Sequence, residues 1–266
     1  MENKESNRYS KILEAIFQKH FKKGATEIEF ERTEFSQVAD KLGIPLPKNL
    51  GDVLYSFRYR THPPKSITSK APKGFEWIIR PAGRGKYKLV AVKQANIAPS
   101  KVLAETKIPD ATPGVIAKYS MNDEQSLLAK LRYNRLIDIF TGLTCYSLQN
   151  HLRTTLSDGS QVETDEIYIG LDKRGAHYVL PVQAKGVKDK IGVVQIEQDF
   201  EMCAIKFPLL FCRPVAAQFM EKDLIALFEF EQSKDGIKVT SEKHYRLVKP
   251  DSLSAEELQS YSKRQN

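Results

Sequence analysis

Between Gln161 and Lys185 the chain reads as two strand-forming runs, 161–170 and 176–185, joined by Leu171-Asp172-Lys173-Arg174-Gly175. Two strands separated by so short a Gly-containing turn pair with each other, antiparallel. With the turn centred near Lys173 and Arg174, the start of the first strand falls beside the end of the second, within about one residue of register. Strand side chains alternate between faces, so Gln183 and Lys185 project to the same side. The pairing therefore gathers the Asp165 carboxylate, the Gln183 amide and the Lys185 ammonium in one patch. Oxygen ligands suit a hard divalent cation, and a neighbouring lysine can orient water or balance charge developing on a phosphate.

The remainder of the chain narrows the setting of that patch. Of its 266 residues 41% are hydrophobic, enough for one large core or two ordinary ones. There is no run of 18 apolar residues, and the opening Met1-Glu2-Asn3-Lys4-Glu5-Ser6 has no signal-peptide pattern, so a soluble cytoplasmic protein without membrane contact is expected. Cys145, Cys203 and Cys212 are odd in number, widely spaced and set among apolar residues, which predicts buried free thiols. No H-E-x-x-H, G-x-S-x-G or Cys/His metal spacing offers a rival centre.

Charge is concentrated in one block. Residues 41–100 carry twelve Lys or Arg against Asp52 and Glu76, a net +10, whereas residues 101–266 carry 22 against 23. Such a footprint predicts a polyanionic partner, nucleic acid first. Around it, Ile12, Ile16, Phe17 and Phe21 follow helical spacing, and Thr26–Arg32 alternates as a strand. A helix capped by Thr33 is expected to run to Leu42 and stop at Gly43, followed by another from Lys48 or Asn49 to Tyr59. A hairpin over 75–92 turns through Pro81-Ala82-Gly83-Arg84-Gly85-Lys86. Helix, strand, helix-turn-helix and basic hairpin together resemble the winged-helix DNA-binding fold over 1–92. That resemblance implies a second helix in the major groove and a wing on the backbone or minor groove. The DNA contacts it implies are Lys48, Arg58, Arg60, Arg80, Arg84 and Lys86. A small α+β module for dimerisation or protein contact is the bland alternative.

Residues 93–121, broken by Pro99, Pro109 and Pro113, read as a connection with a short helical or extended piece. From Asn122 a strong helix is expected, with Gln125 in capping-box position and apolar residues through Phe140. Then follow strands 150–156, 161–170 and 176–185, a helix over 188–206 and a strand over 208–215. This αβββαβ order, with Asp165 and Gln183-x-Lys185 on adjoining strands, resembles the PD-(D/E)XK, or restriction-endonuclease-like, nuclease superfamily, in the variant where Gln replaces the acid. The fold class expected is therefore α/β (α+β), with a restriction-endonuclease-like core over 122–266 behind the winged-helix-like domain.

The resemblance implies a Mg²⁺-dependent endonuclease acting on double-stranded DNA, restriction-type and including modification-dependent forms. Asp165 and Gln183 would hold the metal and Lys185 would orient the nucleophile; double-strand cleavage would favour a homodimer. Two departures stand out: Thr164 occupies the place of the motif's Pro, and Gln183 brings no charge. Another carboxylate is thus expected to contribute: Glu124 by resemblance, with Glu163 on the face of Asp165 and Glu166 pointing away. Gln195 and Gln198 on the following helix could touch DNA or support the metal site, and an exposed helix face explains them equally well. His151, with Asn150 and Arg153, reads first as a hydrogen-bonding structural residue, with a phosphate contact as the alternative. The rival reading is a DNA-binding regulator whose nuclease-fold domain has lost its chemistry; an RNA or structure-specific nuclease shares the same residues.

Overall fold

The structure, a computed structural model, describes residues 4–48, 50–59, 61, 63–121, 123–157, 159–234 and 236–263, without the side chains of 4–8, 51, 52, 55, 58 and 59. It is a mixed α/β protein dividing into two compact units. One comprises the chain up to Ile97 with Thr154–Val162 and Gly192–Val194; the other holds the rest.

The first unit runs α1 (Lys4–His20), β1 (Glu27–Glu31), α2 (Arg32–Leu42), α3 (Leu50–Tyr59), α4 (Lys65–Thr68), β2 (Glu76–Pro81), β3 (Lys86–Val92) and the short β4 (Asn96–Ile97). β3 lies between β1 and β2, antiparallel to both, with Ile28 across from Leu89 and Trp77 across from Ala91. In β1 the alternation is literal: Ile28 and Phe30 are buried and the three glutamates face out. Those two side chains pack with Ile12, Ile16 and Phe17 of α1, Phe35 of α2 and Leu54 of α3. Each such burial is worth roughly 1.5–3 kcal/mol against exposure. α2 starts before the expected Thr33 cap, because Glu31 is its N-cap and forms a capping box with Glu34. Gly43, at φ 64°, closes it in the left-handed conformation that glycine adopts without strain. Asn49, one of the two expected starts of the next helix, lies outside the described residues.

The second unit continues with β5 (Glu105–Pro109), α5 (Gly114–Tyr119), α6 (Glu124–Tyr133), α7 (Leu136–Thr141), β6 (Thr144–Thr155), β7 (Gln161–Leu171), β8 (His177–Lys185), β9 (Ile191–Gly192), α8 (Val193–Lys206), β10 (Phe211–Cys212), β11 (Val215–Glu221), β12 (Leu224–Ser233), β13 (Gly236–Val248) and α9 (Ala255–Ser262). Its sheet has the order β5-β13-β12-β11-β8-β7-β6, with β10 also against β8. β7 and β8 are antiparallel, β11 is parallel to β8, β11–β13 form an antiparallel meander, and β5 runs parallel to β13. Leu127, Leu128 and Leu131 of α6 pack with Leu180, Val182 and Ala184 of β8, so the even-numbered face of β8 is core.

Several expectations are corrected here. The stretch 93–121, expected as a connection with a short helical or extended piece, carries both, α5 and β5, and β5 joins the sheet edge beside β13. The single long helix expected up to Phe140 is two. Buried Asn134 donates to the carbonyl of Lys130 and to Thr112 Oγ1 and accepts from Ala111 N–H, which ends α6; Arg135 then takes φ 52°. Asn122 lies outside the described residues, and α6 is capped by Asp123, whose carboxylate accepts from Ser126 N–H. α8 begins at Val193 rather than at 188, because Gln218 Nε2 donates to the carbonyls of Gly186 and Asp189 and holds the intervening residues in a turn. The strand expected over 208–215 breaks at Pro214, which has no N–H for a ladder. All three cysteines are free as expected, but only Cys145 and Cys203 are buried; Cys212, in the two-residue β10, is half-buried.

Candidate active site

The β7–β8 hairpin is set by its turn. The Asp172 carboxylate accepts from the N–H groups of Ala176 and Arg174, and Gly175 takes φ 82°. Those N–H bonds hold the Asp172 carboxyl down at about 2. The paired register runs from Leu171–His177 to Glu166–Val182. One position further the strand partner is a side chain: Asp165 Oδ2 accepts the N–H of Ala184 at 2.8 Å. A carboxylate thus stands where a backbone carbonyl ordinarily would, and the two strands meet at their ends through it.

Lys185 closes β8 on that same site. Its side chain is 11% exposed, and Nζ lies 3.3 Å from Glu124 Oε1 and 4.0 Å from Asp165 Oδ2. Glu124 comes from the first turn of α6, where a carboxylate also favours the helix N-terminus. Burial pushes its carboxyl up; Lys185 opposes this, while Asp165 and Asp189 add to it. Three of the four residues anticipated for the site are therefore together: Asp165, Lys185 and Glu124. Gln218, paired with Lys185 in the sheet register, is also buried, and its Oε1 has no hydrogen-bond partner among the described residues.

Gln183, the fourth, is tied at its amide nitrogen to a buried acid. Its amide nitrogen donates to both oxygens of Asp199, at 3.2 and 3.0 Å, and lies 3.3 Å from the carbonyl of Glu163. Its Oε1 accepts from Gln195 Nε2 at 3.4 Å. Asp199, from α8, is fully buried and accepts at 2.6 Å from Thr164 Oγ1. Burial pushes its carboxyl up to about 7, against the pull of the Thr164 and Gln183 hydrogen bonds. Sequence reasoning missed Asp199. The available signal was an acid inside an apolar helix, one turn after Gln195 and therefore on the same face. Thr164 puts its hydroxyl to use on this acid.

The other anticipated residues serve elsewhere. Glu163 pairs with Arg153 at 3.0 Å. Glu166 is fully buried, 3.0 Å from Arg132 Nε and bonded by Ser147, with its side chain turned away as expected. His151 takes φ 49° and shares a hydrogen bond with Gln125 at 2.9 Å. Gln198 is buried within α8 and so is not presented as a DNA contact. In the first unit Lys48, Arg84 and Lys86 are exposed and Arg80 is half-buried. Arg84 lies against Gly159, whose added Cβ would sit 3.3 Å from Arg84 Cβ, and with Arg32, Thr33, Ser36 and Lys86 it lines a shallow depression of about 390 Å³. The Arg58 side chain and Arg60 lie outside the described residues.

Among the described residues no group of three His, Cys, Asp or Glu side chains is arranged to hold a metal ion. The donors that are present, Asp165, Glu124 and the Gln183 amide oxygen, are all oxygen and are of the type a hard cation takes. No protein-family model matches the chain, and neither the curated proteins nor the solved structures contain a significant match to it.

Proposed function

We propose that the chain is a Mg²⁺-dependent endodeoxyribonuclease hydrolysing phosphodiester bonds in double-stranded DNA. The observation that carries the reading is the convergence of Asp165, Lys185 and Glu124 where β7 and β8 meet through a carboxylate. The order α6/α7, β6, β7, β8, α8, β11 supports a restriction-endonuclease-like core, and α1, β1, α2, α3, β2, β3 supports a winged-helix reader. Asp165, Gln183 Oε1 and Glu124 would hold the cation, which when bound would polarise the phosphate. Lys185 is nearly buried, so its ammonium acts in a low-dielectric setting, where a fixed positive charge stabilises an anionic transition state far more than in water. On substrate entry the same ammonium exchanges Glu124 for a phosphate oxygen or the attacking water. Ala184 N–H fixes the Asp165 carboxylate before substrate arrives, and that preorganisation avoids an ordering cost during reaction.

One observation favours the second reading, a DNA-binding regulator without chemistry: the amide nitrogen of Gln183 is bound to buried Asp199 and adds no charge to the site. The deciding experiment incubates the purified protein with methylated and unmethylated supercoiled plasmid in Mg²⁺ or in EDTA. Cleavage in Mg²⁺ that Lys185→Ala abolishes at undiminished DNA affinity supports the enzyme. Tight binding without nicking at any Mg²⁺ concentration supports the regulator, and cleavage fully retained by Lys185→Ala removes the site assignment.

A further inference from the structure

We propose that Asp199 is a positioning residue that locks the polarity of the Gln183 amide, holding its nitrogen inward and leaving its oxygen as the donor presented to a cation. The inference rests on reading the Asp165–Lys185 cluster as a cation site. An amide is nearly symmetric in shape but opposite in chemistry at its two ends. With nitrogen outward, Gln183 would repel a cation; with oxygen outward, it is a neutral ligand. The structure supplies what decides between these. Both oxygens of Asp199 accept from Gln183 Nε2, and the carbonyl of Glu163 lies on the same nitrogen, so with Asp199 ionised three acceptors face that end and an oxygen there would serve none of them. Gln195 Nε2 donates to Oε1 at 3.4 Å and favours the same orientation from the other side; Gln183 is itself buried, and a cation taking Oε1 would displace this donor.

Asp199 is not itself a ligand. It is fully buried, and its oxygens are occupied by Thr164 and Gln183. It stands one layer behind the strand, where outer-layer partners orient the groups that touch a metal. The position of the acid also explains why residue 183 is an amide. A carboxylate there would turn only acceptors toward the Asp199 oxygens, which now take the Gln183 amide N–H groups at 3.2 and 3.0 Å, and would leave that contact without a donor. Charge at 199 and an amide at 183 are therefore one arrangement, and exchanging the two chemistries should be tolerated where changing either alone is not.

The test is that exchange, made in the full chain and checked for folding by circular dichroism. Mg²⁺ and Tb³⁺ affinity are measured by calorimetry and luminescence for wild type, Asp199→Asn, Gln183→Glu and the double variant Gln183→Glu/Asp199→Asn. The side-chain amide signals of Gln183 are followed by ¹⁵N NMR without metal. Asp199→Asn offers an amide in place of the acceptor pair, so the Gln183 signals should shift and lose protection from exchange. Cation affinity should fall roughly 10–100-fold, as for outer-layer partners elsewhere. Gln183→Glu should also bind poorly near neutral pH. The double variant should recover wild-type affinity or exceed it, since the amide introduced on α8 can donate to the carboxylate introduced on β8. Unchanged Gln183 amide signals in Asp199→Asn overturn the lock, as does a double variant no better than both singles. A wild-type chain that binds neither ion, yet shows the Gln183 signals shifting in Asp199→Asn, retains the lock and removes the cation reading instead.

Discussion

The Glu34→Gln substitution tests how the first unit is held together. Glu34 Oε2 accepts from Lys19 at 2.7 Å and from His20 at 2.8 Å, both at the end of α1, and Oε1 accepts from Glu31 N–H at 3.0 Å. One carboxylate thus ties α1 to α2 and caps α2 as well. Burial alone would raise its carboxyl, but these hydrogen bonds outweigh burial and bring it from 4.5 to about 2. A shift of that size favours the ionised fold by about 3 kcal/mol. Because the folded value is the lower one, the stabilisation is complete above about pH 4.5 and is lost as pH falls through 2. The assay is urea unfolding followed by tryptophan fluorescence. The chain has a single tryptophan, Trp77, which is buried in this unit with its ring edge-on to Phe17 at 5.5 Å. At pH 7 the variant should be less stable by about 3 kcal/mol, and the gap should close progressively toward pH 2. A difference that stays constant between pH 7 and pH 2, or never exceeds the ~0.5 kcal/mol typical of an uninvolved surface position, refutes the assignment.

Three further outcomes are expected. Asp199 has a folded value near 7, above its ordinary 3.8, so its ionisation opposes folding; the stability of wild type relative to Asp199→Asn should fall as pH rises from about 4 to 7 and level off above, and chemical denaturation across that range checks the slope. Gly170→Ala would place a Cβ 2.9 Å from both Leu143 Cδ1 and Leu180 Cδ1, an overpacking expected to destabilise by about 1–3 kcal/mol; a neutral result in denaturation followed by far-ultraviolet circular dichroism would show that these leucines yield freely. Neutralising Arg84 and Lys86 together should weaken DNA binding and reduce the slope of log K against log salt by about two, and a slope equal to wild type would mean that neither exposed side chain meets a phosphate.

What the sequence revealed of the site, and what it hid, divides by the range of the forces involved. The β7–β8 hairpin was legible because alternation and the Asp172–Gly175 turn are local, and face arithmetic then brought Asp165 and Lys185 together. Glu124 required the family resemblance, since nothing in its own neighbourhood directs it to a strand end 61 positions away. The orientation of the Gln183 amide was hidden for a similar reason. The face of Gln183 was read correctly, but the direction of its amide depends on Asp199, a partner on a helix whose polar positions looked like an ordinary solvated side. The early start of the second unit at β5 was hidden because an edge strand parallel to β13 depends on a neighbour more than a hundred positions away. Asn134 broke the long helix through bonds to Ala111 and Thr112, which helical periodicity does not register.

The bond from Ala184 N–H to Asp165 makes one atom answerable to two demands. Architecture alone is reason enough to keep an acceptor at 165, since its removal leaves a strand-end donor unmet. On the proposed reading, a descendant that had abandoned hydrolysis would still be under pressure to retain Asp165, or to drift no further than Asn. The residue that reads most readily as a hallmark of chemistry is therefore a poor witness to it. Lys185 testifies better: among the described residues its ammonium bonds side chains only, and the two carboxylates beside it would have nothing to neutralise them once it was gone. Surveys that sort working from silent versions of such a hairpin should look first to the lysine.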